Sequence, residues 1–219
     1  MRLGILGGTF NPLHNAHLRM AELAAAHCAL DRVLFLPAAD PPHKPLSGNV
    51  AFADRLAMVA AALAGHPRFA ASDLEAQRPG KSYSVQTLEW LQRLYPDDAR
   101  FFIIGGDSFR DIASWWEFPR LFDLTNIVVV PRVGALLPDD PTEVLPVAMR
   151  GEFCYDAAAG ILRHRSGNQV ILLKERCPDI SSTQIRALLA ERRPVASLLP
   201  AAVEHYITSH GLYTGPGKV

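Results

Sequence analysis

Apolar and polar positions switch between two periods along the chain. Residues 3–6 form a short apolar run closed by Gly7 and Gly8, and residues 15–28 follow with helical spacing, rich in Ala and Leu. That order predicts strand, loop, helix. Residues 32–37 repeat the strand with Val33, Leu34, Phe35 and Leu36 in succession, and residues 51–64 repeat the helix, closed by Gly65. A weaker strand over 69–72 and a helix over 85–94, ended by Pro96, come next. Residues 101–104 and 127–130 are β-branched and aromatic and predict two further strands. A last strand over 170–173 leads into helices over 183–191 and 201–210, the second stopped by Gly211. This alternation predicts an α/β fold, a doubly wound parallel sheet of about five or six strands with helices on both faces.

Between residue 133 and about 169 the period is lost among Pro, Asp and Ala, which predicts an irregular excursion at the sheet edge. A chain of 219 residues can bury one sizeable core, so residues 1–219 are read as a single domain. Lys plus Arg and Asp plus Glu both number 22. The balance offers no basic field for a nucleic-acid polymer or a membrane surface, and suits a small, locally charged ligand. Cys28, Cys154 and Cys177 are odd in number and lack CxxC spacing, which argues against a disulfide framework and against a zinc site. A reducing compartment, the cytoplasm, follows as the expected location. The apolar run at the start is too short for a signal-peptide core, and no stretch reaches membrane-spanning length.

The segment from Gly7 to His17 sits where the first strand hands over to the first helix, a place where open α/β sheets bind ligands. It has neither the GxxxxGK of a phosphate-cradling loop nor the GxGxxG of a dinucleotide fold. His14 and His17, three apart at a helix start, can project toward one point and donate hydrogen bonds to a phosphoryl group as charge accumulates. A helix cap with a surface histidine is the plainer alternative, and a metal site has no third ligand nearby.

Three other segments carry similar choices. Pro41-Pro42-His43-Lys44-Pro45 holds Lys44 on a stiff, extended loop, as a ligand contact or merely as surface. Ser181 and Ser182 open a helix, as caps or phosphate donors, and Arg186 lies one turn beyond Ser182, suited to a polyphosphate or simply exposed. Gly105-Gly106-Asp107 ends a strand, where a carboxylate can accept from ribose hydroxyls, and Trp115-Trp116 can pack or stack on a flat ligand.

Taken together these segments resemble a known family. Residues 7–17, GGTFNPLHNAH, resemble the GGTFDPxHxGH signature of the bacterial nicotinate-mononucleotide adenylyltransferases, within the wider HxGH nucleotidyltransferases. Asn11 stands where the family often has Asp, and Ala16 where it has Gly. PPHK at 41–44, ISSTQIR at 180–186, the GxD ending in Asp107 and the tryptophan pair are similar to further family segments. Ser82-Tyr83-Ser84 resembles its SYT, with Ser for Thr, and the tail through Tyr213 resembles its closing YIxxxxLY, read as helix packing. The resemblance implies a Rossmann-like fold and transfer of the adenylyl group of ATP to nicotinate mononucleotide, giving nicotinate adenine dinucleotide and pyrophosphate in NAD biosynthesis. It implies that ATP meets Gly7, Gly8, Thr9, Phe10, His14, His17, Lys44 with His43, Gly105, Asp107, Ile180, Ser181, Ser182 and Arg186. Of these, His14, His17, Lys44 and Arg186 would be catalytic. Tyr83, Ser84, Trp115 and Trp116 would hold nicotinate mononucleotide, and Mg²⁺ would arrive with ATP, with no dedicated metal site. Two alternatives stay open: a related transferase acting on nicotinamide mononucleotide, phosphopantetheine or a phosphoalcohol, and a catalytically silent nucleotide-binding module. Neither a nucleic-acid polymer nor a membrane is expected as a partner, while a homo-oligomer is compatible with the sequence.

Overall fold

The computed structural model describes residues 1–42, 50–133 and 140–214. His43 and Lys44 lie outside the described residues. The strands are β1 (Arg2–Gly8), β2 (Arg32–Pro37), β3 (Phe69–Ala71), β4 (Ala99–Gly105), β5 (Asn126–Val130), β6 (Phe153–Asp156), β7 (Ile161–His164) and β8 (Gln169–Leu172). The helices are α1 (Asn15–His27), α2 (Phe52–Leu63), α3 (Ser84–Leu94), α4 (Gly106–Arg110), α5 (Pro119–Leu124), α6 (Ser182–Ala190) and α7 (Ala201–His210). The strands form one sheet in the order β3-β2-β1-β4-β5-β8-β7-β6. The α/β class and the mostly parallel sheet are as the sequence predicts. Strand order reverses at β1, whose neighbours are β2 and β4, and in open α/β sheets ligands bind beyond the carboxyl ends of strands at such a reversal.

The strand count is eight rather than five or six, because β6 and β7 lie in the stretch where the sequence loses its period. They pair antiparallel, Phe153 opposite His164, and β7 runs antiparallel to β8, Leu162 opposite Val170. Each is four residues long, with Cys154 and Tyr155 both exposed on β6, so no alternation marks that strand. On β7 the two inward positions are Leu162 and His164, and the histidine disguises a core position as a polar one. His164 packs against Phe122 and Phe153, with Nε2 3.1 Å from the Glu152 carboxylate. The β6–β7 turn is closed by Asp156, which accepts from the Arg163 guanidinium at 2.9 Å and from the Ala159 N–H at 3.1 Å.

The chain divides into two compact units. The first comprises Met1–Leu6, Met20–Val33 and Tyr83–Cys177. Its core is carried by Leu3 and Ile5 of β1, Ile103 and Ile104 of β4, residues 127–130 of β5, and Leu162 and Val170 beside them. Asn126 fixes the start of β5 from both sides, donating to the Arg100 carbonyl at 2.9 Å and accepting from the Gln169 N–H at 3.1 Å. The second unit comprises Gly7–Arg19, Leu34–Ser82 and Pro178–Val219. Here α2 buries Arg55, Met58, Val59, Ala62 and Leu63, an apolar stripe at helical spacing except for its arginine. The Tyr206 hydroxyl of α7 donates to Asp54 of α2 at 3.0 Å. Among the described residues no helix is long and apolar enough to cross a membrane.

Gly4 shows how tightly the first unit is packed. A Cβ there would lie 2.7 Å from Leu30 Cδ1, 3.0 Å from Val33 Cγ2 and 3.3 Å from Ile103 Cδ1. Overpacking predicts a loss of about 1 kcal/mol for Gly4→Ala and about 2–3 kcal/mol for Gly4→Val, measured by urea unfolding. Unchanged stability in both variants would show that the neighbours yield without cost.

Candidate active site

Gly7 and Gly8 end β1 and open the second unit. The Gly8 carbonyl accepts from the Ala38 N–H at 2.9 Å, and a Cβ on Gly8 would meet the Phe10 ring at 3.2 Å. Phe10 is buried with φ at 46°, a left-handed conformation that non-glycine residues rarely adopt. Its ring meets His17 edge-on at 5.0 Å and Phe35 at 5.9 Å. His17 in turn stacks on His14, with centroids 3.7 Å apart. The His14 backbone N–H donates to His17 Nδ1 at 3.2 Å. A backbone N–H can only donate, so Nδ1 is an acceptor and the neutral His17 ring carries its proton on Nε2. That leaves Nε2–H as the ring's own donor.

The start of α6 meets this loop directly. Ser182 Oγ donates to the Pro12 carbonyl at 3.0 Å, and Arg186 Nη1 to the Asn11 carbonyl at 2.8 Å. Arg186 Nη2 also reaches Thr183 Oγ1 at 3.3 Å. Ser181 is the helix cap, its Oγ accepting from the Gln184 N–H at 3.2 Å. Ile180 is buried, and its N–H donates to the Pro178 carbonyl at 3.0 Å. The histidines and the serine–arginine turn thus belong to one unit, and the turn bonds to the carbonyls of Asn11 and Pro12 on the same loop.

Two residues that sequence reasoning left out complete the loop's surroundings. Arg55 of α2 is fully buried, and its Nη1 donates to the carbonyls of Thr9 and Ala38, both at 2.8 Å. Burial lowers its proton affinity, and Tyr213 and Glu75 partly restore it. Tyr213, read from sequence as packing alone, donates its hydroxyl to Asn11 Oδ1 at 2.5 Å. Burial pushes its phenol well above the ordinary value, against the opposing pull of Arg186 and Arg55. A signal for Arg55 existed: it is the lone cation in the apolar stripe of α2.

The remaining candidates lie in the first unit. Tyr83 precedes α3, which Ser84 opens, and the Tyr83 ring lies 4.8 Å from the exposed Trp116. Trp115 meets Phe102 edge-on at 6.2 Å. Asp107 is exposed, 3.4 Å from both Arg110 and Arg132, while beside Gly105 an added Cβ would meet only Met20 Cε, at 3.9 Å.

Residues 5–188 match the family model described as cytidylyltransferase-like. A protein of Syntrophotalea carbinolica named as a probable nicotinate-nucleotide adenylyltransferase is 59% identical over 213 residues, covering 97% of each chain. One of Geobacter sulfurreducens with the same name is 51% identical, covering 99% of this chain and 100% of its own. The chain belongs to the nicotinate-nucleotide adenylyltransferases, within the cytidylyltransferase-like family. Among solved structures, nicotinic acid mononucleotide adenylyltransferase of Plasmodium falciparum, complexed with NaAD, superposes with a TM-score of 0.74, covering 98% of each chain at 17% identity. That likeness is one of fold. Within the family's signature loop, Ala16 is buried here, so the methyl group that replaces the family's glycine points into protein.

The cap at α6 gives a clean test of local energetics. Ser181→Ala should cost about 1 kcal/mol of stability, the usual value for a lost N-cap, read as a lowered unfolding midpoint. No shift would mean that the α6 start is held entirely by Ser182 and Arg186.

Proposed function

We propose that this chain transfers the adenylyl group of ATP to nicotinate mononucleotide, releasing pyrophosphate and forming nicotinate adenine dinucleotide for NAD biosynthesis in the cytoplasm. The observation that carries the reading is the direct bonding of the signature loop to the α6 start, which gathers His14, His17, Ser182 and Arg186 around one stretch of backbone. The curated relatives' names support the choice of substrate.

The reaction is an in-line attack by a 5′-phosphate oxygen of nicotinate mononucleotide on the α-phosphorus of ATP. A bond forms between that oxygen and phosphorus, the bond to the bridging oxygen of pyrophosphate breaks, and no covalent enzyme intermediate forms. The nucleophile is already an anion at neutral pH, so catalysis rests on alignment and charge stabilisation. His17 Nε2–H and His14 donate to the α-phosphoryl oxygens as charge grows there. Lys44, Ser181, Ser182 and Arg186 hold the β- and γ-phosphates, with Gly7, Gly8, Thr9, Phe10 and Ile180 lining the approach. A guanidinium carries five N–H donors, so Arg186 can keep its bond to Asn11 and still meet a phosphate. Gly105 and Asp107 are assigned to the ATP side, Asp107 to the ribose. Tyr83, Ser84, Trp115 and Trp116 are assigned to the pyridine nucleotide.

Mg²⁺ fits as a companion of ATP. Among the described residues no cluster of three or more His, Cys, Asp or Glu could hold a metal, and the Asp107 carboxylate already faces two arginines. Bound to the phosphates, the ion supplies charge neutralisation.

Pyrophosphate release with ATP and nicotinate mononucleotide tests the assignment. A site built around a carboxylate should prefer the nicotinate substrate over the nicotinamide one by about 100-fold or more in kcat/KM. Equal rates would shift the assignment to the broader transferase, and no release with either acceptor would leave only nucleotide binding. In the same assay His17→Ala should lower kcat by about 100-fold or more while KM for ATP stays within a few fold, because the interaction strengthens in the transition state. A raised KM with kcat intact would make His17 a simple binding residue.

A further inference from the structure

The loop that carries the signature is held in place by side chains that the signature does not include. Arg55 comes from the buried face of α2 and Tyr213 from beyond the C-terminal end of α7. Arg55 has no exposed surface, so its guanidinium is sealed from any ligand. Its Nη1 bridges Thr9, just after β1, to Ala38, just after β2, with both contacts at 2.8 Å. The Thr9 carbonyl belongs to the planar peptide that joins Thr9 to Phe10, so fixing that oxygen fixes the orientation on which the φ of Phe10 depends. Phe10 sits at φ 46°, a conformation that persists only where surroundings enforce it. Its ring then stands edge-on to His17, which stacks on His14. One residue further on, the Tyr213 hydroxyl holds Asn11 Oδ1 at 2.5 Å. A chain of short contacts therefore runs from Arg55 through Thr9 and Phe10 to the imidazoles, with Tyr213 as a second anchor.

We infer that Arg55 and Tyr213 are positioning residues of the adenylyl transfer: they hold the backbone of residues 9–11 so that His14 and His17 meet the phosphoryl group, without touching substrate themselves. The inference rests on the proposed reaction. Arg55 holds its two carbonyls by charge-assisted hydrogen bonds, stronger than neutral ones, inside protein where no water competes. Fully buried arginine is uncommon because desolvating a cation is costly, and two strand-end carbonyls are part of what offsets that cost.

The test uses the full chain and steady-state pyrophosphate release at saturating ATP and nicotinate mononucleotide, with unfolding followed on the same samples. In Arg55→Met both carbonyl contacts go, and kcat per folded molecule should fall about 100-fold with KM for ATP within about threefold, as a small misplacement of catalytic groups predicts. In Arg55→Lys the ammonium can still donate to both carbonyls, and kcat should recover to within about tenfold of wild type. Tyr213→Phe deletes a single oxygen and leaves the ring, and kcat should fall about tenfold, the value of one buried hydrogen bond, again with KM preserved. A purely structural role would change the unfolding midpoint and leave kcat per folded molecule alone. Wild-type kcat in Tyr213→Phe and Arg55→Met overturns the inference, as does a raised KM with kcat intact, which would mean direct contact with substrate. If Arg55→Met does not fold, Tyr213→Phe and Arg55→Lys decide by the same split, and wild-type kcat in Tyr213→Phe overturns it. An inactive wild type overturns the proposed reaction and this inference with it, whereas an active wild type with unaffected variants overturns this inference alone.

Discussion

Three backbone carbonyls just past the end of β1 set the terms for the second unit. The oxygens of Thr9, Asn11 and Pro12 lie beyond the strand and accept from Arg55, Arg186 and Ser182. A buried carbonyl left unmatched costs about 1–3 kcal/mol, so these bonds are close to obligatory. The donors come from 46, 175 and 170 residues away in sequence, and Tyr213 reaches Asn11 from 202. The shape of the loop is therefore a tertiary property. Residues of α2, α6 and the segment after α7 hold it.

Under the proposed function, that constraint is how a chain with no net charge would suit a polyanion. Two imidazoles, two guanidinium groups and the α6 N-terminus gather around one short stretch of backbone, with Glu75 acting on Arg55 from nearby. Field strength at the site depends on local geometry and low dielectric, which net charge does not report. Rigidity matters as much as sign. Donors fixed in advance need no reorganisation during a reaction, and the edge-on packing of Phe10 against His17 would supply that order in the proposed transfer.

Legibility in the sequence tracks how strongly a segment's own pattern decides its structure. Residues 33–36, 101–104 and 127–130 read as strands because continuous β-branched and aromatic runs have few other uses, and the main helices follow from their spacing. β6 and β7 escaped because four-residue strands carry little periodic signal, and because His164 fills an inward position normally marked by an apolar residue. The site loop and the α6 start were readable as motifs from residues 7–17 and 180–186. The clamp was not, since nothing local to Arg55 or Tyr213 names the carbonyl or amide each will meet. Arg55 did leave a trace, an arginine at a stripe position where helical spacing demands burial, and a buried cation always raises the question of what it holds.

The four holders of the loop fall into two kinds, and the difference decides what each can do. Arg186 and Ser182 are half-buried at the mouth of a helix, where a guanidinium with five donors can serve backbone and phosphate at once. Any force a ligand exerts on them is transmitted to Asn11 and Pro12. Arg55 alone is sealed, so that no ligand reaches its bond to Thr9, whereas Tyr213 on Asn11 is half-buried like Arg186 and Ser182. A loop held only by the first kind would shift as its anchors moved toward a polyphosphate, carrying the histidines with it. In the proposed reaction a sealed anchor on the inner side would confine that movement to the outer residues, so that binding energy could tighten contacts to phosphate without displacing His14 and His17.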